Sequence, residues 1–231
     1  MNTSKRTELS EIGEFGLIDR LKEFLPARSE TILKSIGDDA AVIKNSDNTV
    51  QLISTDLLME GVHFDLAYTP LKHLGYKSVA VNVSDIAAMN GKPSHIVVGI
   101  ALSNRFSVEA IEELYTGMKL ACDAYAIDLV GGDTTSSRSG LGISVTAVGT
   151  AVAEDVVYRS GAKINDLICV TGDLGAAFMG LQVLEREKQV YLANPDMQPE
   201  LVDKDYIVQR QLRPEARMDV IKSMHSLGLK P

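Results

Sequence analysis

LKHLGYKSVAVNVSDIAAMN, Leu71 to Asn90, has the spacing of a helix that is apolar on nearly every side, and such a helix belongs in a protein interior. Ser78, Asn82 and Asp85 interrupt it at i, i+4 and i+7, so they share one stripe of its surface. Polar groups on a buried helix must find partners. Either the three belong to a hydrogen-bonded network or cap a neighbour, or Asp85 faces a ligand; the stretch alone leaves both open.

Reading outward, the chain alternates unevenly between helical and strand patterns. Upstream, Glu11 to Leu25 reads as a helix with an apolar stripe of Ile12, Phe15, Ile18, Leu21 and Leu25, capped by Ser10 and stopped by Pro26. Ala40–Ile43 and Thr49–Thr55 read as strands around the turn NSDN. Downstream, Ser94–Leu102 is a predicted strand. Ser107–Ala126 is an amphipathic helix turning Ile111, Leu114, Met118, Cys122 and Tyr125 inward. Asp128–Val130 is expected to be a short strand that breaks at Gly131 and Gly132, and Ile143–Val152 another strand. Leu167–Thr171 is expected to be a strand feeding a turn and a helix to about Lys188, with a loop over Tyr191–Asp205. The pattern predicts an α+β protein with mixed sheets, divided near Ala153–Asp155 into units 1–152 and 153–231.

Composition narrows the function. With 231 residues, 45% of them hydrophobic, the chain can build a sizeable core. A net charge of −8 argues against nucleic-acid or anionic-membrane partners. The start MNTSKRTELS lacks an apolar targeting core, and no apolar run is long enough for a membrane span. Cys122 and Cys169, far apart in apolar segments, read as reduced core residues of a cytoplasmic protein. There is no Walker A loop, protein-kinase signature, H-E-x-x-H, C-x-x-C or G-x-S-x-G.

The acids carry more information. Asp39 follows Asp38 in IGDDAAVI, Asp56 ends QLISTD, and Asp133 ends LVGGDTT. Like Asp85, each lies at a strand edge or in apolar surroundings, with the hydroxyls of Ser54, Thr55, Ser84 and Thr134 nearby. Hard divalent cations take such oxygen donors, and Mg²⁺ is usually held by a few carboxylates plus phosphate oxygens. A simple turn accounts for Gly37 and Asp38 equally well. His63 in GVHF is either a structural hydrogen-bonder or a contact. Arg159 in YRSGAK is either a phosphate clamp or an exposed side chain beside a turn. TGDLG before a helix is either an anion site or a glycine turn. Arg210, Arg213 and Arg217 read as solvated or bridging.

The segments GEFGLIDRL, IGDDAAV, STDLLMEGVHF, KSVAVNVSDIAAMNGKP, LVGGDTTSS, YRSGAK and LRPEAR, in this order, resemble the thiamine-monophosphate kinase family of the aminoimidazole-ribonucleotide-synthetase-like ATP enzymes. The resemblance implies ATP-dependent phosphorylation of thiamine monophosphate to thiamine diphosphate. It implies an N-terminal α/β domain whose strands form a barrel across a homodimer, with the active site at the interface. It also implies that Asp39, Asp56, Asp85 and Asp133 hold Mg²⁺ with help from Ser54 and Thr55, that His63 contacts substrate, and that Tyr115, Gly132 and Arg159 contact ATP. No nucleophile on the protein is expected. The family's later Asp-Ser-Asp-Gly and Gly-Gly-Glu-Asp segments do not appear before the chain stops at SLGLKP, so an incomplete α+β C-terminal domain is expected. The alternatives are a sister ATP enzyme with another acceptor, or a catalytically incomplete Mg²⁺-nucleotide-binding fragment.

Overall fold

The structure, a computed structural model, describes residues 6–230; residues 1–5, the start of MNTSKRTELS, and Pro231 lie outside it. A six-stranded mixed sheet carries the fold, in the order β1-β2-β3-β6-β4-β5. Its strands are β1 Ile32–Lys34, β2 Ala41–Lys44, β3 Thr49–Met59, β4 Lys92–Leu102, β5 Asp128–Ser136 and β6 Leu141–Val152. All neighbours run antiparallel except β4 and β5, which are parallel and joined by a helical crossover, as parallel strands require. The helices are α1 Leu9–Phe24, α2 Leu71–Ala88, α3 Val108–Tyr125, α4 Ala176–Ala193, α5 Asp205–Leu212 and α6 Met218–Ser226.

Period-two alternation decides which sheet face is covered. Val50, Leu52 and Leu58 of β3, Ile96, Val98 and Ile100 of β4, and Ile143, Val145 and Ala147 of β6 are all buried. Helix α2 lies over these three strands, and α3 packs on α2's outer side. Sandwiched this way, α2 is apolar on most of its surface: Leu74, Val79, Val83 and Ile86 are fully buried, and only Lys72, Ser84 and Ala88 are exposed. The two helices approach backbone to backbone at Gly75 and Gly117. A Cβ on Gly75 would sit 1.9 Å from the carbonyl oxygen of Leu114, and one on Gly117 would sit 1.9 Å from that of Lys72. Ser107 caps α3 by accepting from the amide of Ala110, at 3.3 Å.

Among the described residues, no helix covers the opposite sheet face. It presents Leu57, Met59 and Val97, with Leu57 57% exposed. Strand β5 is exposed along its whole length. A second, smaller core is built from Leu184, Val208 and Leu212 of α4 and α5, with Tyr68 packed against it.

Four expectations are corrected. Strand β5 does not break at the glycines but runs on to Ser136, because a register slip between Ile96 and Val97 absorbs the irregularity and the ladder with β4 continues. Helix α1 begins at Leu9 after Glu8 rather than after a Ser10 cap and kinks at Gly13, where φ is +64°. None of its residues is fully buried, and Phe15 is 73% exposed. Leu167–Thr171 is not a strand; with no sheet edge beside it to satisfy its backbone, Ile168 stands 95% exposed. Cys169 in the same stretch is exposed rather than in the core, while Cys122 is buried, and both thiols are free. Among the described residues no helix is long and apolar enough to cross a membrane.

The close helix contact generates a stability test. Gly75→Ala or Gly117→Ala must push α2 and α3 apart, and each is expected to cost about 2–3 kcal/mol in a urea titration. Gly131→Ala, where an added methyl meets nothing within 4 Å, is expected to stay within about 0.5 kcal/mol of the parent.

Candidate active site

The polar stripe of α2 finds its partners on β3. Asn82, fully buried, accepts from the backbone amide of Asp56 at 3.1 Å and donates to the carbonyl of Ser78 at 3.0 Å. Ser78 donates to the carbonyl of Gly75 at 2.8 Å. These two residues are structural. Asp85 differs: it accepts from the Ser54 hydroxyl at 2.6 Å and faces a cleft of about 900 Å³. The cleft is walled by α1, by the turn at Ser35–Ala41 and by the middle of β3, and Asp39, Ser54, Thr55, Asp56, Asp85 and Arg159 all line it.

The adjacent acids of the turn have separate tasks. Asp38 points inward, its side chain 1% exposed. It lies 3.2 Å from Lys34 and accepts from the backbone amide of Arg159 at 3.3 Å, tying the YRSGAK segment to the turn. Asp39 points into the cleft, where Nε of Arg159 donates to Oδ1 at 3.0 Å and Nη2 reaches the same oxygen. Gly37 precedes them with φ +113°, a left-handed conformation natural to glycine. In the sequence Asp38 read as a turn residue, and Lys34 carried no assignment. Their one signal was the doubling of the acid, which a single cleft residue would not need.

Electrostatics make the cleft costly. Asp85 is pushed up to about 6, first by burial and then by the neighbouring carboxylates of Asp56 and Asp39, against the opposing pull of Ser54 and Arg159. Burial also raises Asp56, with His63 pulling the other way. The donors are carboxylate and hydroxyl oxygens, which suits a hard divalent cation. Among the described residues, however, no three acid, histidine or cysteine side chains converge closely enough to hold a metal ion.

The other candidate residues lie apart. His63 lines a separate cavity of about 370 Å³ with Asp65, Tyr68, Gln182, Glu185, Lys188 and Gln211. Its Nδ1 accepts from the amide of Met59 at 3.0 Å. The neutral ring therefore carries its proton on Nε2 and offers a donor. Tyr115 is half-buried against the main core, where burial raises its phenol. Gly132 and Asp133 sit on β5. Asp133 is level with Gly99 of β4, Gly99 with Ser144 of β6, and Ser144 with Leu57 of β3. Three strand spacings, roughly 14 Å, thus separate Asp133 from β3 along the sheet. Within one chain the structure brings Asp39, Asp56 and Asp85 together and leaves Asp133 on the opposite sheet edge.

The raised pKa of Asp85 has a stability consequence. A carboxyl raised in the folded state favours folding at low pH, and that contribution is lost as pH rises through about 6. Solvent screening at this half-buried group cuts the roughly 3 kcal/mol of the full displacement to about 1 kcal/mol. In chelator, Asp85→Asn is expected to stabilise the chain by about 1 kcal/mol at pH 8, with the gain fading below pH 4. Urea titrations of both proteins across that range check it; a gain independent of pH would contradict it.

Residues 37–151 match the family model "AIR synthase related protein, N-terminal domain". Thiamine-monophosphate kinase of Aquifex aeolicus is 40% identical over 215 residues, which cover 93% of this chain and 63% of that protein. The Bacillus subtilis thiamine-monophosphate kinase is 38% identical over 185 residues, covering 80% of this chain and 55% of that protein. Among solved structures, AaThiL complexed with AMPPCP and TMP is similar with a TM-score of 0.79 at 35% identity, covering 96% of this chain and 65% of that one. The thiamine-monophosphate kinase of Stenotrophomonas maltophilia K279a follows with a TM-score of 0.66 at 34% identity, covering 93% of this chain and 65% of that one. This chain therefore spans 55–63% of the length of the two curated relatives. On matched motifs, shared fold and level of identity, the chain carries the AIR synthase-related N-terminal domain over residues 37–151 and is similar over most of its length to thiamine-monophosphate kinases.

Proposed function

We propose that the protein transfers the γ-phosphoryl group of ATP to the phosphate of thiamine monophosphate, giving thiamine diphosphate and ADP. The observation that carries this reading is the meeting of Asp39, Asp56, Asp85 and Arg159 in one cleft. Support comes from the similarity to AaThiL complexed with AMPPCP and TMP. In this reading Asp39, Asp56 and Asp85 would share Mg²⁺ with the nucleotide's phosphate oxygens, assisted by Ser54 and Thr55, since the three carboxylates do not converge into a metal site by themselves. The ion would supply charge neutralisation on the transferring phosphoryl group. Arg159 leaves Asp39 for phosphate oxygens, a bidentate pairing its guanidinium suits. Asp38 keeps its backbone in place during that exchange. Gly132 lets nucleotide approach the β5 backbone closely, Tyr115 supports the nucleotide side from α3, and His63 donates Nε2–H to the acceptor. No protein nucleophile is needed, because the acceptor phosphate attacks in line and catalysis is positioning plus electrostatics.

Asp133 enters the reading through a homodimer. The bare sheet face, with Leu57, Met59 and Val97, and the uncovered strand β5 suit pairing with a second copy into a closed barrel. A partner's β5 edge would then bring its Asp133 to the other protomer's acidic cleft. Two free thiols fit a reducing compartment such as the cytoplasm.

Mixing variants of the whole protein tests both parts. Asp85→Asn and Asp133→Asn are each expected to lose thiamine-monophosphate phosphorylation. If each site takes Asp85 from one subunit and Asp133 from its partner, co-refolding equal amounts regenerates intact sites in mixed dimers, returning about a quarter of parental turnover. No recovery at any ratio overturns the shared site. A parental protein that binds Mg²⁺-ATP without transfer to thiamine monophosphate overturns the kinase reading in favour of a nucleotide-binding unit.

A further inference from the structure

The loop that carries His63 is a compact hairpin at the end of β3. Gly61 donates to the carbonyl of Phe64 at 2.8 Å, His63 donates to the carbonyl of Met59 at 2.9 Å, and Phe64 is buried. These bonds shape the hairpin, and Phe64 seats its tip in the main core. The polar anchors at its Asp65–Tyr68 end are two side chains of α4, a helix of the second unit. Tyr68 donates to Oε1 of Glu185 at 2.6 Å, and Lys188 pairs with Oδ2 of Asp65. Glu185 and Lys188 are three apart, so they face the same way along α4. Asp65 is itself organised, accepting from the amide of Ala67 at 2.7 Å. The ring of Tyr68 packs on the small core of Leu184, Val208 and Leu212, so α4 holds this segment by packing as well as by charge. Glu185, Lys188 and His63 line the same polar cavity, which opens between the two units.

We propose that Glu185 and Lys188 are positioning residues: from the second unit they set the place of the His63 hairpin and thereby the affinity for the acceptor. The inference rests on the kinase reading for the word acceptor, but not for the mechanical coupling. Helix α4 packs chiefly on α5 and touches the sheet hardly at all. Its grip on the hairpin is therefore a direct route by which the second unit acts on a residue of the first. The electrostatics run the same way: Lys188 holds Asp65 below the usual carboxylate range, and Asp65 raises Lys188 in return.

The whole protein is compared as parent, Glu185→Gln, Lys188→Met and the exchange Asp65→Lys with Lys188→Asp, using two readouts. The first is amide hydrogen exchange over residues 60–66. Lys188→Met is expected to speed it about fivefold, since a part-exposed pair contributes on that scale. The sheet amides of β3 and β6 should not change, and the exchanged pair should restore the parental rate. The second readout is steady-state kinetics: KM for thiamine monophosphate rises about fivefold in Glu185→Gln and Lys188→Met, while KM for ATP and kcat hold. Unchanged exchange in the hairpin overturns the positioning role. So does a rise in both KM values together, which a merely structural role would produce. A hairpin that loosens in a protein whose parent never phosphorylates thiamine monophosphate leaves the coupling standing and removes the kinase reading instead.

Discussion

Helix α2 is the member on which the rest of this structure depends. Covered by the sheet on one side and by α3 on the other, it leaves solvent little more than Lys72, Ser84 and Ala88, and nothing at its stripe of Ser78 and Asn82. Each of Ser78, Asn82 and Asp85 must therefore be satisfied within the protein. Asn82 meets this constraint by taking the amide of Asp56, which fixes β3 against α2 at the level where β3 delivers its own carboxylate. Ser54 binds Asp85 one strand residue-pair away. The same bonds that keep a buried helix satisfied thus bring two acids from distant parts of the chain into one cleft, and the site follows from the packing.

That placement works against stability. Three carboxylates share a half-buried cleft, and Asp85 holds its proton to an unusually high pH because burial and its neighbours disfavour the charge. Arg159 offsets part of this by pairing with Asp39, while Asp38 and Lys34 neutralise each other behind the turn. Positive charge brought to such a site would relieve that tension, which is the arrangement expected of a functional cleft rather than of a surface selected for stability.

The chain also leaves apolar surface uncovered in three places: the bare sheet face, the stripe of α1, and the stretch around Leu167 and Ile168. Contiguous exposed apolar surface on an otherwise well-packed fold is a general feature of interaction sites and binding grooves. A second copy suits the first, because β5 is a full-length unprotected edge. By contrast, the contact of α4 with the segment after β3 has a polar part that runs through Tyr68, Asp65, Glu185 and Lys188, whereas Met218 and Ile221 of α6 pack into the main core.

The sequence by itself determined the elements whose periodicity reports burial on one or all sides. Helices α2 and α3, strands β2, β3, β4 and β6, and the α+β class were legible because their apolar spacing is set by the core they build. It also marked Asp39, Asp56, Asp85 and Arg159, since charge set in apolar surroundings stands out in any linear reading. Tertiary structure alone decided what depends on partners far along the chain. Periodicity marked Leu167–Thr171 as a strand, but pattern does not supply a neighbouring edge. Two glycines looked like the end of β5, but a parallel ladder with β4 carried the strand past them. Asp38 and Asp39 read alike, and only the positions of Lys34 and Arg159 turned one into an anchor and the other into a cleft residue. Asp133 shares its motif style with the other acids, yet strand order sets it on the far edge of the sheet, because spacing along a chain says nothing about which strands will lie between two residues in space.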